Sequence, residues 1–451
     1  MDEYLKILLE QIRGKKARPY IRQELQNHME DQIEANIHAG MSYESAEKEA
    51  VKDMGDPVEA GISFDRIHKP QIAWKLLVMI VLISVAGIVT HIMIATHMDG
   101  ADAFASSRYV IHVLVGIVVM MVLYFMDYTL LARYSKLIAV ILLASCLLTL
   151  FFGVSINGMT YYMNIGGRVI SIQALMLFYV PIYGGVIYQY HGLGYKGFMK
   201  AVAWMVLPIL FVMRMPATMT AGLMMISMLV MLTIAVLKDW FIIPKKKTIA
   251  GLWGIFMVLP VVSFFGMYFG NVLASYQKAH IQAFVSNTGD ANYLTATIRS
   301  FLKTNKMIGS SGADISEKLP GFNADYLLTY LSSTYGMIVA ILVCCVLAVL
   351  ILFVFGTALK QKNQLGMMMG CGCGMIFLVS FLINVLENLG AFPPTATFLP
   401  FLSAGGSYIV VSYGLIGIVL SIYRYKNVYP RHVKVKMPHI KMTIDLYNLT
   451  E

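Results

Sequence analysis

Apolar stretches that lack charged side chains recur along most of this chain, separated by shorter polar connections. A helix of roughly 20 apolar residues is long enough to cross the ~30 Å hydrocarbon core of a bilayer. The pattern therefore predicts an all-α, polytopic membrane protein with about ten spanning helices. The predicted spans are 71–97, 108–127, 136–156, 170–190, 197–214, 217–237, 248–276, 325–358, 365–389 and 404–424.

Residues 1–70 follow a different pattern, in which apolar side chains recur every three to four positions among many charges. This spacing is typical of amphipathic helices in a small soluble module. Ser42 and Asp56 are placed to cap two of these helices, and Gly40 and Gly55 are placed to end the helices before them. We therefore expect a small helical domain ahead of the membrane spans.

Composition supports the membrane assignment, because 58% of the residues are hydrophobic and only 13% are charged. Residues 1–70 hold 10 basic and 14 acidic residues, and the remainder holds 25 basic and 11 acidic. A basic membrane domain favours anionic lipid headgroups, whereas nucleic acid is not expected because no aromatic-laced basic patch is present. The five cysteines lie in apolar or Gly/Met-rich runs without metal-site spacing, and CGCG at 371–374 predicts close helix packing.

The connections between spans differ in charge, and this difference predicts the orientation of the chain. Lysine and arginine concentrate in alternate connections, which are cytoplasmic by the positive-inside rule. Both termini are then expected in the cytoplasm. We expect a helical domain at 1–70, a membrane domain at 71–427 with a large outer loop at 277–324, and a basic cytoplasmic tail at 428–451.

Two acidic residues stand out, because each lies at the outer end of a predicted span beside apolar residues. Asp325 begins one span and Glu387 ends another. An ionisable group at such a depth is costly and is a candidate for function. Asp at a helix start is also a common N-cap, so the sequence alone leaves Asp325 open between a cap and a catalytic group.

The last outer loop interrupts the helical pattern with Pro393-Pro394, Pro400 and Gly405-Gly406, which indicates a cavity-lining segment. Its LPFLSAGGS (399–407) is similar to the LPFISYGGS signature of the SEDS family, the group that contains FtsW, RodA and SpoVE. LPGFNADY (319–326) is similar to the LPEAHTDF of that family. The resemblance covers roughly residues 75–425, and Asn384, Asn388, Leu389, Gly390, Pro393 and Thr395 fall on its N…LG..P.T pattern.

The resemblance implies a peptidoglycan glycosyltransferase that polymerises lipid II at the outer membrane face, during division, elongation or sporulation. It places Asp325 at the catalytic acid position of the family and implies a class B penicillin-binding protein as partner. No cofactor is specified, and a divalent cation is one candidate for the diphosphate. The other residues expected at the substrate site are Arg168, Arg214, Arg299, Lys303, Glu387, Ser403, Gly405, Gly406 and Ser407.

Several family positions differ here. NGARRWI of the family is NGMTYYM (157–163), without either arginine; SIQPSE is SIQALM (171–176); and QPDLGTA is MPATMTA (215–221). Arg168 is a candidate substitute for the missing arginines. Each basic residue could equally serve as an interfacial anchor.

Two other functions stay open. The departures favour a non-catalytic scaffold or regulator of cell-wall assembly, and the ten helices with a broken segment near Pro393 suggest a flippase for a lipid-linked precursor of the bacterial cell wall. Residues 1–70 also resemble the helical prefix domains ahead of some Gram-positive permeases, which implies a cytoplasmic partner for that domain.

Overall fold

The computed structural model describes residues 1–97, 100–156, 159–215, 217–270, 282, 293–312 and 315–430. Within these ranges the chain forms helices and one small antiparallel sheet. Most of the predicted tail (431–451) and the greater part of the predicted outer loop before residue 293 lie outside the described residues.

Four amphipathic helices form at the N-terminus, as the sequence predicts. Ser42 accepts the Ser45 N–H, and the Asp56 carboxylate accepts the Val58 N–H, so both predicted N-caps are confirmed. Positive φ angles of 96° at Gly40 and 74° at Gly55 end the preceding helices. The helices are α1 (Asp2–Glu10), α2 (Arg18–His38), α3 (Tyr43–Asp53) and α4 (Pro57–His68).

The remaining helices build a bundle. In the described part of the chain, nine helices are long and apolar enough to cross a membrane. They are α5 (Trp74–His97), α6 (Gly100–Phe125), α8 (Ser135–Phe152), α11 (Gly194–Arg214), α12 (Thr218–Leu237), α13 and α14 (Lys245–Trp253 and Leu259–Phe269, joined by a π-helical turn), α17 (Met337–Leu359), α18 (Gln364–Asn388) and α19 (Gly406–Arg424). The shorter helices are α7 (Tyr128–Arg133), α9 (Ile172–Leu175), α10 (Tyr179–Tyr188), α15 (Tyr293–Thr304) and α16 (Leu327–Thr334).

Two predicted spans differ from the structure. The span predicted at 170–190 is a shorter, deeply buried apolar segment that contains α9 and α10. The single helix predicted at 325–358 is wrong, because the chain breaks at Gly336 into α16 and α17. Gly336 has a φ of 107°, and an added Cβ would lie 2.6 Å from the Met307 carbonyl oxygen. This close backbone approach explains the break.

A three-stranded antiparallel sheet follows α8 at a place where the sequence predicts helix and loop. Its strands are β1 (Val154–Ile156), β2 (Met159–Ile165) and β3 (Arg168–Ser171), in the order β1-β2-β3. Tyr162 pairs with Ser171, and Ile165 pairs with Arg168 across the Gly166-Gly167 turn. Both turn glycines have positive φ, which the tight hairpin connection requires.

The core of the bundle lies around α18 and α19, whose residues are mostly buried. An added Cβ at Gly372 would lie 3.0 Å from the Met231 sulfur, and one at Gly374 would lie 3.0 Å from the Phe355 ring. Cys371 and Cys373 are buried free thiols in the same segment. The CGCG segment therefore packs helices closely, as predicted.

We call the end of the bundle that contacts α1–α4 the basal end and the opposite end the distal end. At the basal end, the buried Asp127 carboxylate accepts hydrogen bonds from Lys16 Nζ at 2.8 Å, from the Thr129 N–H at 3.0 Å and from the Tyr429 hydroxyl. Burial alone would raise the pKa of Asp127, but these hydrogen bonds hold it below its ordinary value. The N-terminal helices are thereby joined to the bundle by a charged contact.

Replacing Lys16 with alanine should lower the free energy of unfolding by about 1–2 kcal/mol, since a buried carboxylate loses a charged donor that is itself half exposed. Thermal unfolding in detergent measures this loss, with the exposed neighbour Lys15→Ala as the control. The loss should disappear as the pH falls below about 4, where Asp127 is protonated in the unfolded chain. The double variant Lys16→Ala/Asp127→Asn should lose less free energy of unfolding than the sum of the two single losses. A loss equal to that sum would contradict the contact.

Candidate active site

Asp325 lies in a turn at the distal end, directly before the short helix α16. The N-cap residue of α16 is Tyr326, and no side chain caps this helix. The Asp325 carboxylate is partly accessible and accepts no hydrogen bond from the residues that the structure describes. Capping is thus not the role of Asp325.

Two asparagines of α18 hold the backbone of Asp325. Asn384 Nδ2 donates to the Asp325 carbonyl at 2.8 Å, and Asn388 Nδ2 donates to the same oxygen at 3.0 Å. The Asn388 side-chain oxygen accepts from the backbone N–H and the hydroxyl of Thr329, at 2.9 and 2.8 Å. Because both amides are buried, they fix the start of α16 against α18.

The segment 399–404 holds the residues immediately before Asp325. The buried Ser403 hydroxyl accepts the Leu399 N–H at 2.6 Å and donates to the Ala324 carbonyl at 2.9 Å. The Ala404 N–H donates to the Asn323 carbonyl at 3.2 Å. Three consecutive carbonyls, from 323 to 325, are therefore bound by other segments of the chain.

Glu387 lies close to Asp325 but in a different environment. It is only 1% exposed, and its carboxylate accepts from the Thr395 hydroxyl and from the Thr397 N–H, the latter at 3.3 Å. Its hydrogen bonds therefore hold the segment 395–397 against α18. The arrangement gives Glu387 a positioning role in the loop.

The surroundings of Asp325 favour its protonated form. Burial, with the Glu387 charge as a second cause, raises the pKa of Asp325 to about 7. Burial also raises the pKa of Tyr161, and both Tyr162 and Asp325 add to that rise. Tyr161 therefore lies within electrostatic reach of Asp325, at a place where the resembling family has an arginine. A carboxyl with a pKa near 7 can take a proton at neutral pH.

Basic side chains surround the N-terminus of α19, where Gly405 is the N-cap and Gly406 the first residue. Arg168 is exposed at the start of β3, and the other end of β3 is joined to α19 by a hydrogen bond from the Ser171 N–H to Ser407 Oγ, at 3.1 Å. His112 lies against Gly406, where an added Cβ would be 2.5 Å from Nε2. Arg108 and Arg168 both act electrostatically on His112. The two arginines supply the positive charge here, and with the His112 ring they form a group that we call the distal basic cluster.

The other predicted basic residues are placed differently. Arg299 on α15 donates Nε to the Gly390 carbonyl at 2.9 Å, and its side chain packs over that glycine. Arg214 and Lys303 are exposed near the ends of α11 and α15. Among the described residues, neither contacts the 323–325 turn by a hydrogen bond or an ion pair. The structure therefore brings Arg168 and Arg299 to the loops around Asp325, and it does not bring Arg214 or Lys303 there.

Sequence reasoning missed part of this site. Asn384 and Asn388 were matched only as a family pattern, although buried amides in an apolar helix indicate bonding to irregular backbone. Arg108 and His112 are in place because α6 packs against α19, and Tyr161 because β2 pairs with β3, whose Ser171 bonds Ser407 of α19. Within the described ranges, no group of three or more His, Cys, Asp or Glu side chains is arranged to hold a metal ion.

Asn388→Ala should lower the free energy of unfolding by about 2–3 kcal/mol, because the Thr329 N–H and the Asp325 carbonyl each lose a buried partner. Thermal unfolding in detergent tests this, and Ser107→Ala, whose exposed hydroxyl bonds only its own helix, is the control. An unfolding temperature equal to that of the control would show that Asn388 does not support the turn.

The chain is similar to known proteins in both sequence and fold. The family model described as "Cell cycle protein", which covers FtsW, RodA and SpoVE, matches residues 70–428. The "Probable peptidoglycan glycosyltransferase FtsW" of Enterococcus hirae is 34% identical over 136 residues, which are 29% of this chain and 34% of the relative. The protein of the same description from Aliivibrio salmonicida is 21% identical over 347 residues, 73% of this chain and 82% of the relative. The chain thus spans about a third of the first relative's length and most of the second's.

Solved structures show the same fold. A chain from "Structural coordination of polymerization and crosslinking by a peptidoglycan synthase complex" superimposes with a TM-score of 0.65 at 16% identity, covering 78% of this chain and 98% of that chain. The Thermus thermophilus rod shape determining protein RodA superimposes with a TM-score of 0.55 at 15% identity, covering 79% and 97%. Through its family match over most of its length, this multi-pass membrane protein belongs to the FtsW/RodA/SpoVE family.

Proposed function

We propose that this protein is a peptidoglycan glycosyltransferase that polymerises lipid II into glycan strands. The observation that carries the proposal is the Asp325 carboxylate. Its residue is held by the backbone, it is free of a capping role, and the turn before it is bound by the segment 399–404 that leads into the start of α19. The descriptions of the FtsW relatives support the same activity.

The orientation of the chain follows from the charges at the two ends of the bundle. Basic residues concentrate at the basal end, in the connections after α7, α10, α12 and α17. By the positive-inside rule this end is cytoplasmic, so Asp325 and the distal basic cluster face the outer side, where cell-wall polymerisation takes place. Residues 1–70 then form a separate cytoplasmic domain.

In the proposed reaction, Asp325 acts as a general base. Its carboxylate takes the proton of a sugar hydroxyl on the acceptor, and that oxygen forms a bond to the anomeric carbon of the donor. The bond between this carbon and the diphosphate breaks, and the lipid diphosphate leaves with the electron pair. Atoms and charge balance without a redox partner.

The leaving diphosphate needs positive charge and hydrogen-bond donors. Arg168, Arg108 and His112 surround the start of α19, where backbone N–H groups and the helix dipole also favour an anion. We assign the diphosphate to this cluster, with Ser407 and Gly406 at its base. Arg299 supports the site by holding Gly390, and Arg214 and Lys303 keep the role of interfacial anchors.

Two partners are proposed. A class B penicillin-binding protein would crosslink the glycan strands, in keeping with the likeness to a chain of a peptidoglycan synthase complex. A cytoplasmic partner would bind residues 1–70, whose four helices carry a net negative charge.

Asp325→Asn should abolish polymer formation from labelled lipid II, because an amide cannot accept the proton. The assay uses the full-length protein in detergent or vesicles, with and without a class B penicillin-binding protein, and an unchanged melting temperature shows that the variant is folded. Ser107→Ala is the matched control. Wild-type polymer yield from Asp325→Asn would overturn the catalytic role, and full complementation of a deletion strain by this variant would favour the scaffold.

The pH dependence of the rate should show a single acidic limb near pH 7. The base must be unprotonated, so the rate should rise as the pH increases through the pKa of Asp325, which is about 7. The ionisable groups that face this carboxylate are Glu387, Tyr161, Tyr326 and Tyr408. A rate that is independent of pH between 5 and 8 at saturating lipid II would argue against Asp325 as the base.

A further inference from the structure

A histidine and a tyrosine from the first two spanning helices reach the loop that carries Ser403. His91 of α5 and Tyr109 of α6 are both fully buried, and their rings stack with centroids 4.0 Å apart. His91 Nε2 lies 2.8 Å from the Leu402 carbonyl oxygen, so this nitrogen carries the proton. The Tyr109 hydroxyl donates to the Phe401 carbonyl at 2.7 Å. Two consecutive carbonyls of the loop are thus bound by adjacent side chains.

The loop has a conformation that needs such support. Phe401 has a φ of 67°, in the left-handed region that costs a non-glycine residue roughly 1–2 kcal/mol. Its carbonyl and that of Leu402 point into protein, where an unpaired backbone group costs about 1–3 kcal/mol. The two donors offset both costs. They therefore favour one conformation of the segment 399–404 over its alternatives.

The packing of α5 against α6 leaves room for this contact through one glycine. A Cβ added at Gly87 would lie 2.1 Å from the Tyr109 hydroxyl oxygen. Any larger residue at position 87 would displace that hydroxyl from the Phe401 carbonyl. The position of Tyr109 is therefore set by the shape of α5 as well as by its own hydrogen bond.

The supported segment is the same one that binds the turn before Asp325. Ser403 donates to the Ala324 carbonyl, and the Ala404 N–H donates to the Asn323 carbonyl. A shift of residues 401 and 402 would therefore move the partners of residues 323 and 324. Asp325 is the next residue, so its carboxylate would move with them.

We propose that His91 and Tyr109 are positioning residues, which set the segment 399–404 and, through Ser403 and Ala404, the place of the Asp325 carboxylate. This inference rests on the proposed role of Asp325 as the base. Neither ring touches the reacting atoms. Their contribution is to hold the base in its position, because a displacement of about 1 Å can lower the rate roughly a hundredfold.

The test uses variants that remove one contact at a time in the full-length protein, with lipid II polymerisation as the assay. Tyr109→Phe removes only the hydroxyl, and His91→Phe removes the donor but keeps a stacked ring. Each should lower kcat about tenfold or more while KM changes by less than about twofold. His91→Gln keeps a donor near the position of Nε2 and should recover much of the loss.

The pH profile separates positioning from simple loss of folded protein. A loosened turn lets water reach Asp325, so the acidic limb of Tyr109→Phe should move from near pH 7 towards the ordinary range of an aspartate. Tyr109→Phe carries this measurement because it keeps His91, which is itself titratable. A variant that only lowers the amount of folded enzyme would reduce the rate at every pH and leave the limb in place.

The control is Tyr183→Phe, which also removes a buried tyrosine hydroxyl that donates to a backbone carbonyl, that of Ala201 at 3.0 Å, but between α10 and α11. It should leave the acidic limb unchanged. In the double variant His91→Phe/Tyr109→Phe, kcat should fall by less than the product of the two single fold-decreases, because both rings act on one loop.

Two outcomes distinguish the proposals. If Asp325→Asn is inactive while Tyr109→Phe and His91→Phe keep the wild-type kcat and acidic limb, the positioning proposal fails and the catalytic one stands. If Asp325→Asn is active, the catalytic proposal fails, and the positioning proposal fails with it. Should the phenylalanine variants not fold, Gly87→Ala, which displaces the Tyr109 hydroxyl, decides the question. A lower kcat with a shifted acidic limb supports positioning, and wild-type values of both contradict it.

Discussion

The structure depends on one constraint: irregular backbone within a membrane bundle must find its hydrogen-bond partners inside the protein. Water cannot satisfy these groups in hydrocarbon, so non-helical segments persist only where other parts of the chain supply donors and acceptors. The turn at 323–325 and the loop at 395–404 are such segments. Asn384 and Asn388 bind the first, Glu387 and the pair His91 and Tyr109 bind the second, and Ser403 joins the two.

This arrangement separates two carboxyl groups that the sequence places at the same end of the bundle. Glu387 is surrounded by donors from residues 395 and 397 and serves the loop. Asp325 has its backbone held while its carboxylate stays out of the hydrogen-bond network of the described residues. Carboxyl groups in contrasting environments are the usual basis for assigning different roles in one site. The contrast here supports Asp325 as the reacting group and Glu387 as its structural neighbour.

The basal end follows the same principle with a different result. Asp127 is buried, but donors from three segments satisfy it, including Lys16 of the N-terminal helices. Gln71 N–H also donates to the Arg424 carbonyl, which joins the start of the bundle to its last helix. The N-terminal helices therefore rest on the ends of the helices whose distal ends frame the candidate site. A partner that displaced them would act on the same helices.

The sequence by itself determined the spanning helices, the caps of the N-terminal helices and the motifs around Asp325, because hydrophobic length, capping residues and local patterns are properties of contiguous residues. It left Asp325 open between a cap and a base, and it predicted one helix where Gly336 divides α16 from α17. Only the tertiary structure excluded the cap and explained the break, because Tyr326 is the N-cap of α16 and the Met307 backbone lies against Gly336. His91 and Tyr109 contact residues that lie about 300 positions further along the chain. These contacts arise from the packing of distant segments, which no local sequence pattern encodes.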